Sequence, residues 1–253
     1  MNTRYLGALY MALAASIWGG MYVVSKIILA TVQPMELVWM RYVVALITLA
    51  VCIIVTKQSW KIGWSHVPLV IAVGIVGYAL SIWTQFLGTK LSTAQMGAMI
   101  TSATPAFMVV FARMLVGEKI TVRRALSVGL ATIGVLMIVG IGGLSPSYVR
   151  GGVILVIAAL SWAFMSVIVK RIPQDYSQLT VIMYAISIAT ILISPVAVPQ
   201  LIHTPSRIWL HPSIWSGVLY LGIFSTAGAF FCGIRDYKWL MRHLEDCSFS
   251  FNL

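Results

Sequence analysis

The sequence predicts an all-α integral membrane protein built as an inverted repeat of five-helix units, with ten helices expected and about eight present. Three observations carry this prediction. The chain of 253 residues is 60% hydrophobic and only 9% charged, against roughly 25% charged in soluble domains. Its apolar runs recur at the length of about 20 residues that crosses a bilayer, not as the alternating segments of about 10 that build a β-barrel. Finally, a stretch near the N-terminus returns 144 residues later.

The runs are read in order. Run 5–28 stacks Ala8, Ala12, Ser16 and Gly20 on one face, four residues apart. Such a small-residue face lets helix backbones approach closely. The run continues well past Ala12-Leu13-Ala14, too far for a signal peptide, and carries Trp18 near its middle. Run 36–55 opens on Glu36 and holds Arg41 inside it. A charge at the bilayer centre costs about 2.5–3.5 kcal/mol on insertion scales, less near the interface. Arg41 therefore has two readings: a fork for a carboxylate or phosphate on a bound solute, or a snorkelling arginine paired with Glu36 or a lipid phosphate. Glu36 stands alone among acidic residues near the outer face and is the candidate for ion coupling.

Run 67–88 carries Tyr78, Trp83 and Gln85. Run 93–116 repeats the small stripe as Ala94, Ala98, Ser102 and Ala106 and adds Thr101 and Thr104. Pro105 interrupts its hydrogen-bond ladder and frees a carbonyl near Thr101, which makes 101–105 the preferred stretch of that helix for lining a cavity. Run 123–142 is glycine-spaced, 150–169 holds Ser161, Trp162 and Ser166, 179–199 holds Tyr184, and 213–232 holds Thr226. Every polar residue at depth has a plainer alternative, a bond to its own backbone or a neighbouring helix. The aromatic residues have another, the interfacial belt, which suits Trp39, Trp60, Trp64, Trp209 and Trp215. Trp18 and Trp162 lie near mid-helix, where lining a cavity stands as the alternative to that belt.

A net charge of +11 raises the question of nucleic acid. Its distribution answers otherwise. With a cytoplasmic N-terminus, the inner ends carry Arg4, Lys57, Lys61, Arg113, Lys119, Arg123, Arg124, Lys170 and Arg171, and the outer ends only Lys26, Lys90, Arg150 and Arg207. That is the bias which orients membrane proteins, so no nucleic-acid partner is expected. Cys52, Cys232 and Cys247 fit neither a disulfide framework nor a zinc site, and no metal or cofactor is expected. His66, His203, His211 and His243 fall in loops or the tail, which argues against an intramembrane Ser–His enzyme.

The repeat is specific. Gly7, Ala14, Ala15, Trp18, Met21, Val23 and Lys26 meet Gly151, Ala158, Ala159, Trp162, Met165, Val167 and Lys170 at an offset of 144, and "GIVGYA" (74–79) meets "GIFSTA" (222–227) at 148. An odd number of helices per unit forces the second copy to enter the membrane from the other side. Inverted repeats of this kind hold a binding site near the midplane between copies. The residues "AASIWGG", Pro34 with Arg41, "TSATPAF…LVGEKIT", "GLATIGVLMIVG", "AALSWAFMSVIVKR" and "LGIFSTAGAFF" together resemble the EamA family of the drug/metabolite transporter superfamily, over residues 4–231. The resemblance implies a transporter with cytoplasmic termini, which exports or exchanges small metabolites such as amino acids or amphipathic compounds. Short loops and the lack of a recognised targeting segment give a multi-pass protein of a prokaryotic inner membrane as the expected location. Its units are 4–142 (helices 1–5) and 149–231 (helices 6–8), and Glu118-Lys119 matches the family's "GE" pattern.

The stretch 232–253 breaks this pattern. It is of mixed charge, and the resemblance stops abruptly at Phe231/Cys232. One permitted coding of Cys232–Leu253, with a single T inserted ahead of it, gives an apolar segment that aligns with 84–105 at the 148 offset. The expectation is a frameshifted cytoplasmic tail in place of helices 9 and 10, which DNA sequence decides. On that expectation the alternative function is an inactive remnant, unless two chains complement each other as a homodimer. Besides the bilayer, the expected partner is a small solute. Its site candidates are Trp18, Arg41, Tyr78, Gln85, Thr101, Ser102, Trp162, Tyr184 and Thr226, with Glu36 for coupling and Pro105 as the kink.

Overall fold

A computed structural model describes residues 3–117, 121–140, 145–173 and 175–228. The tail 232–253 and the Glu118-Lys119 pair lie outside these residues. Every regular element among the described residues is helical. The helices are α1 (Thr3–Ile28), α2 (Pro34–Val55), α3 (Trp64–Leu91), α4 (Ala94–Val116), α5 (Val122–Gly140), α6 (Pro146–Val169), α7 (Gln178–His203) and α8 (Pro212–Leu219, continued by Tyr220–Gly228). A single turn, Ser206–Trp209, precedes α8. Of these, α2, α3, α4, α6 and α7 are long and apolar enough to cross a membrane.

Local chemistry sets the boundaries. Pro34, Pro146 and Pro212 stand at the first positions of α2, α6 and α8, where a missing N–H costs no helical bond and a fixed φ suits the turn. Gly117, at φ 75°, closes α4 in the left-handed conformation that glycine adopts without strain. Helix α4 is broken at Ala103, two residues ahead of Pro105. Residues Ala94–Ser102 form one piece and Thr104–Val116 the next. Pro105 stands in the first turn of the second piece. The break lies upstream because Pro105 brings no N–H to the Thr101 carbonyl and its ring crowds it.

Helices α2 and α7 run side by side through the middle, antiparallel. Both are apolar all round, packing one side inward and turning Ile47, Val51, Ile191 and Leu192 outward. Leu37, Val38, Tyr42, Ala45, Leu49 and Ile53 of α2 are wholly buried, as are Ala185, Ile186, Ala189 and Ala197 of α7. Around this pair, α2 also packs on α8 and α7 on α3; α1 packs on α8 and α4, and α6 on α3 and α4. Helix α5 touches only the edge, against α4 and α6, and turns Leu126, Leu130, Ile133 and Leu136 outward.

The two ends of the bundle are tied by backbone carbonyls. At one end Lys26 donates through Nζ to the carbonyls of Thr89 and Lys90, each at 2.9 Å, and of Ser92. A cation here caps the last turn of α3 and complements its dipole. Lys90 reaches the α1–α2 loop, at Val32 O (3.2 Å) and Gln33 Oε1 (3.0 Å). At the other end Thr180 donates to Ser59 O at 2.8 Å and Arg171 donates to Leu115 O.

Two stretches depart from α geometry. Val73–Ser81 in α3 and Tyr220–Gly228 in α8 are π-helical. Such segments are rare and concentrate at functional sites. Here they fall on the two stretches that the 148 offset relates.

Candidate functional site

The π segments sit where α3 and α8 cross the central pair. The crossings are near-copies. A Cβ added to Gly74 would lie 2.7 Å from Ala185 O and 3.1 Å from Ile188 Cβ. One added to Gly222 would lie 2.5 Å from Val44 Cγ1 and 3.0 Å from Arg41 O. Arg41 and Ala185 are 144 residues apart, as are Val44 and Ile188. Each glycine therefore meets the same pair of positions in the opposite unit. Only a residue without a side chain allows backbones this close.

One π turn beyond Gly222 comes Thr226, buried at 1% exposure. Its hydroxyl donates to Leu221 O at 2.8 Å and accepts from Arg41 Nε at 2.7 Å. Arg41 is 4% exposed. Its Nη1 donates to Met21 Sδ at 3.4 Å, and its guanidinium carbon lies 5.5 Å from the centroid of Phe86. Sulfur is a weak acceptor and the ring offers a cation–π contact. No carboxylate pairs with Arg41 among the described residues. A buried cation held by a hydroxyl, a thioether and a ring is under-compensated.

A chain of polar groups lies beside it. Tyr22 donates to Thr101 Oγ1 at 2.5 Å and accepts from Gln85 Nε2. Gln85 Oε1 is buried without a hydrogen-bond partner. Tyr42 donates to Tyr78 O at 2.6 Å, inside the first π segment. The Tyr78 ring meets those of Tyr42 (6.4 Å) and Trp162 (5.9 Å) edge-on. Trp18 Nε1 donates to Ser225 O at 3.3 Å, inside the second π segment. The repeat-related tryptophans thus each address a π segment of the other unit.

Of the residues singled out from sequence, the structure gathers Arg41, Thr226, Gln85, Thr101, Tyr78, Trp162 and Trp18 about the two crossings. It separates others. Ser102 is exposed and bonds Met99 O of its own helix at 2.6 Å. Tyr184 sits at an end of the bundle, its hydroxyl on Trp60 O at 3.0 Å. Pro105 is exposed. Glu36 is 1% exposed but does not meet Arg41. It accepts from Thr204 Oγ1 at 2.9 Å and from Gln33 N at 3.4 Å, fixing the start of α2 against the end of α7. Sequence reasoning missed Met21, Tyr22, Tyr42 and Phe86. Depth was the available signal for the tyrosines: both lie well inside apolar runs, as Trp18 does.

A family model described as the EamA-like transporter family matches residues 5–140 and 149–236, so the second match runs past Phe231. An "Uncharacterized transporter" of Archaeoglobus fulgidus is 26% identical over 233 residues, 88% of this chain and 76% of its own length. "Uncharacterized transporter YyaM" of Bacillus subtilis is 23% identical over 258 residues, 98% of this chain and 80% of its own. A solved crystal structure shares the fold at a TM-score of 0.62 and 19% identity, over 90% of this chain and 77% of that one.

Proposed function

The chain belongs to the EamA-like transporter family, and from that premise we propose that it exports small metabolites from a prokaryotic cell by alternating access between two inverted five-helix units. The first unit spans 4–142 and the second begins at 149. The observation that carries this reading is the reciprocity of the crossings. Gly74 rests on Ala185 and Ile188, and Gly222 rests on Arg41 and Val44, so each unit grips the other through equivalent positions. Rocking of one unit against the other around a fixed midplane site is the motion such symmetry permits. The pairs α1 with α8 and α6 with α3, and α2 with α8 and α7 with α3, exchange under the same relation.

The solute site is the polar cluster at the seam. Arg41 offers its N–H donors to a carboxylate or phosphate, which would supply the missing countercharge. Tyr78, Trp162 and Phe86 give an apolar body a surface. Glu36 serves the architecture, since both its oxygens are engaged at a helix start. The test is an untargeted comparison of extracellular metabolites from cells that express the chain, cells that express Arg41→Met, and cells with neither. Anionic or zwitterionic solutes that accumulate outside only with the unaltered chain support the reading. Identical profiles in all three would refute it.

A further inference from the structure

The seam holds two unmet demands of opposite kind. Arg41 presents donors, with no carboxylate among the described residues to receive them. Gln85 presents an acceptor. Its Nε2 is committed to the Tyr22 hydroxyl, whose own proton goes to Thr101 Oγ1. Its Oε1 is left buried and without a partner on a side chain only 7% exposed. With Tyr22 donating to Thr101, Nε2 is the amide atom set against the Tyr22 oxygen and Oε1 the one left over. Burying a carbonyl unpaired is costly. The two demands are neighbours. Met21 and Tyr22, adjacent on α1, receive Arg41 and Gln85 respectively. Phe86, adjacent to Gln85, lies against the guanidinium.

We infer that Gln85, held in position by Tyr22 and Thr101, is a specificity-determining residue that accepts a hydrogen bond from a solute whose anionic group Arg41 holds. The solute class this selects is a small zwitterion, with an ammonium N–H a few bonds from a carboxylate. A carbonyl facing an ammonium makes a charge-assisted bond. A solute that lacks the donor leaves Oε1 unpaired, and a site built around a hydrogen bond rejects such analogues strongly. This rests on the reading of Arg41 as the solute's anchor.

The experiment uses the full chain in liposomes preloaded with one of three equimolar mixtures: the proteinogenic amino acids, their deaminated carboxylic acids, or their decarboxylated amines. The amino acids are expected to leave at least about tenfold faster than either of the others, relative to empty liposomes. Gln85→Leu is expected to cut the preference over the carboxylic acids to under about twofold. Should that variant not reach the liposomes folded, Tyr22→Phe, which unfastens the amide, takes its place with the same expected outcome. Equal release of amino acids and carboxylic acids by the unaltered chain, or a preference that survives Gln85→Leu, overturns the inference and leaves the transport reading standing. No release of any mixture overturns both.

Discussion

The two π segments share a scaffold and differ in chemistry. In each, a glycine lets the helix press on a carbonyl of the central pair, at Ala185 for Gly74 and at Arg41 for Gly222. Four residues on, the first copy carries Tyr78 and the second Thr226. The equivalent positions in the central pair are Ala185 and Arg41, 144 residues apart. So where the second π segment bonds a hydroxyl to a guanidinium, the matching positions of the first hold an aromatic ring and a methyl group. The difference teaches where function resides. The close backbone approach is kept in both copies, whereas the buried charge exists in one. On the proposed reading, that charge is the one that holds the solute's anionic group.

The sharpest way to break this comparison is to make the copies alike. Ala185→Arg places a second cation in the core, in the copy where Tyr78 takes the position of Thr226. An uncompensated buried charge costs about 3–5 kcal/mol, so the variant is expected to lose its folded, monodisperse fraction in detergent. Arg41→Met removes the charge from the copy that has it. Truncating one side of a desolvated charge contact costs about 2–5 kcal/mol. Export of the responsive solutes is expected to fall at least about thirtyfold, with the melting temperature kept or raised.

Smaller changes test the shared part. Gly74→Ala and Gly222→Ala each force a Cβ onto close neighbours, and both are expected to lose about 1–3 kcal/mol as a lower melting temperature. If only one does, the crossings are not equivalent. Tyr42→Phe leaves Tyr78 O without its donor and is expected to cost about 1–2 kcal/mol, read the same way. Gly129→Ala and Gly134→Ala on α5, where nothing lies within 4 Å of an added Cβ, are expected to be neutral or to stabilise by about 0.4–1 kcal/mol.

Much of the fold was legible because apolar length and proline placement are local properties. Among the described residues each of the eight runs is helical, and the two tryptophans of the repeat were visible in the text. The π segments were not. Hydropathy records which residues are apolar, not how many N–H groups reach back five residues instead of four. The site was legible where a residue violated its surroundings, as Arg41 does in an apolar run. Tyr22 and Tyr42 escaped because tyrosine at a membrane has a default place at the interface, and only depth tells the exception. Ser102 was misplaced for a related reason. Its four-residue stripe identifies a face of α4, but it is the neighbouring Thr101 that turns to the seam while Ser102 faces outward.

The central claim is that the second unit lies upside down relative to the first. Single cysteines at Arg4, Thr31, Arg150 and Lys170, introduced into a chain freed of its own cysteines, can be tagged in intact cells with a maleimide that does not cross the membrane. Inversion requires Thr31 and Arg150 to react from outside while Arg4 and Lys170 stay protected until the cells are opened. Protection of Arg150 together with Arg4 would mean two units of the same orientation, and no seam between opposed copies for a solute to pass.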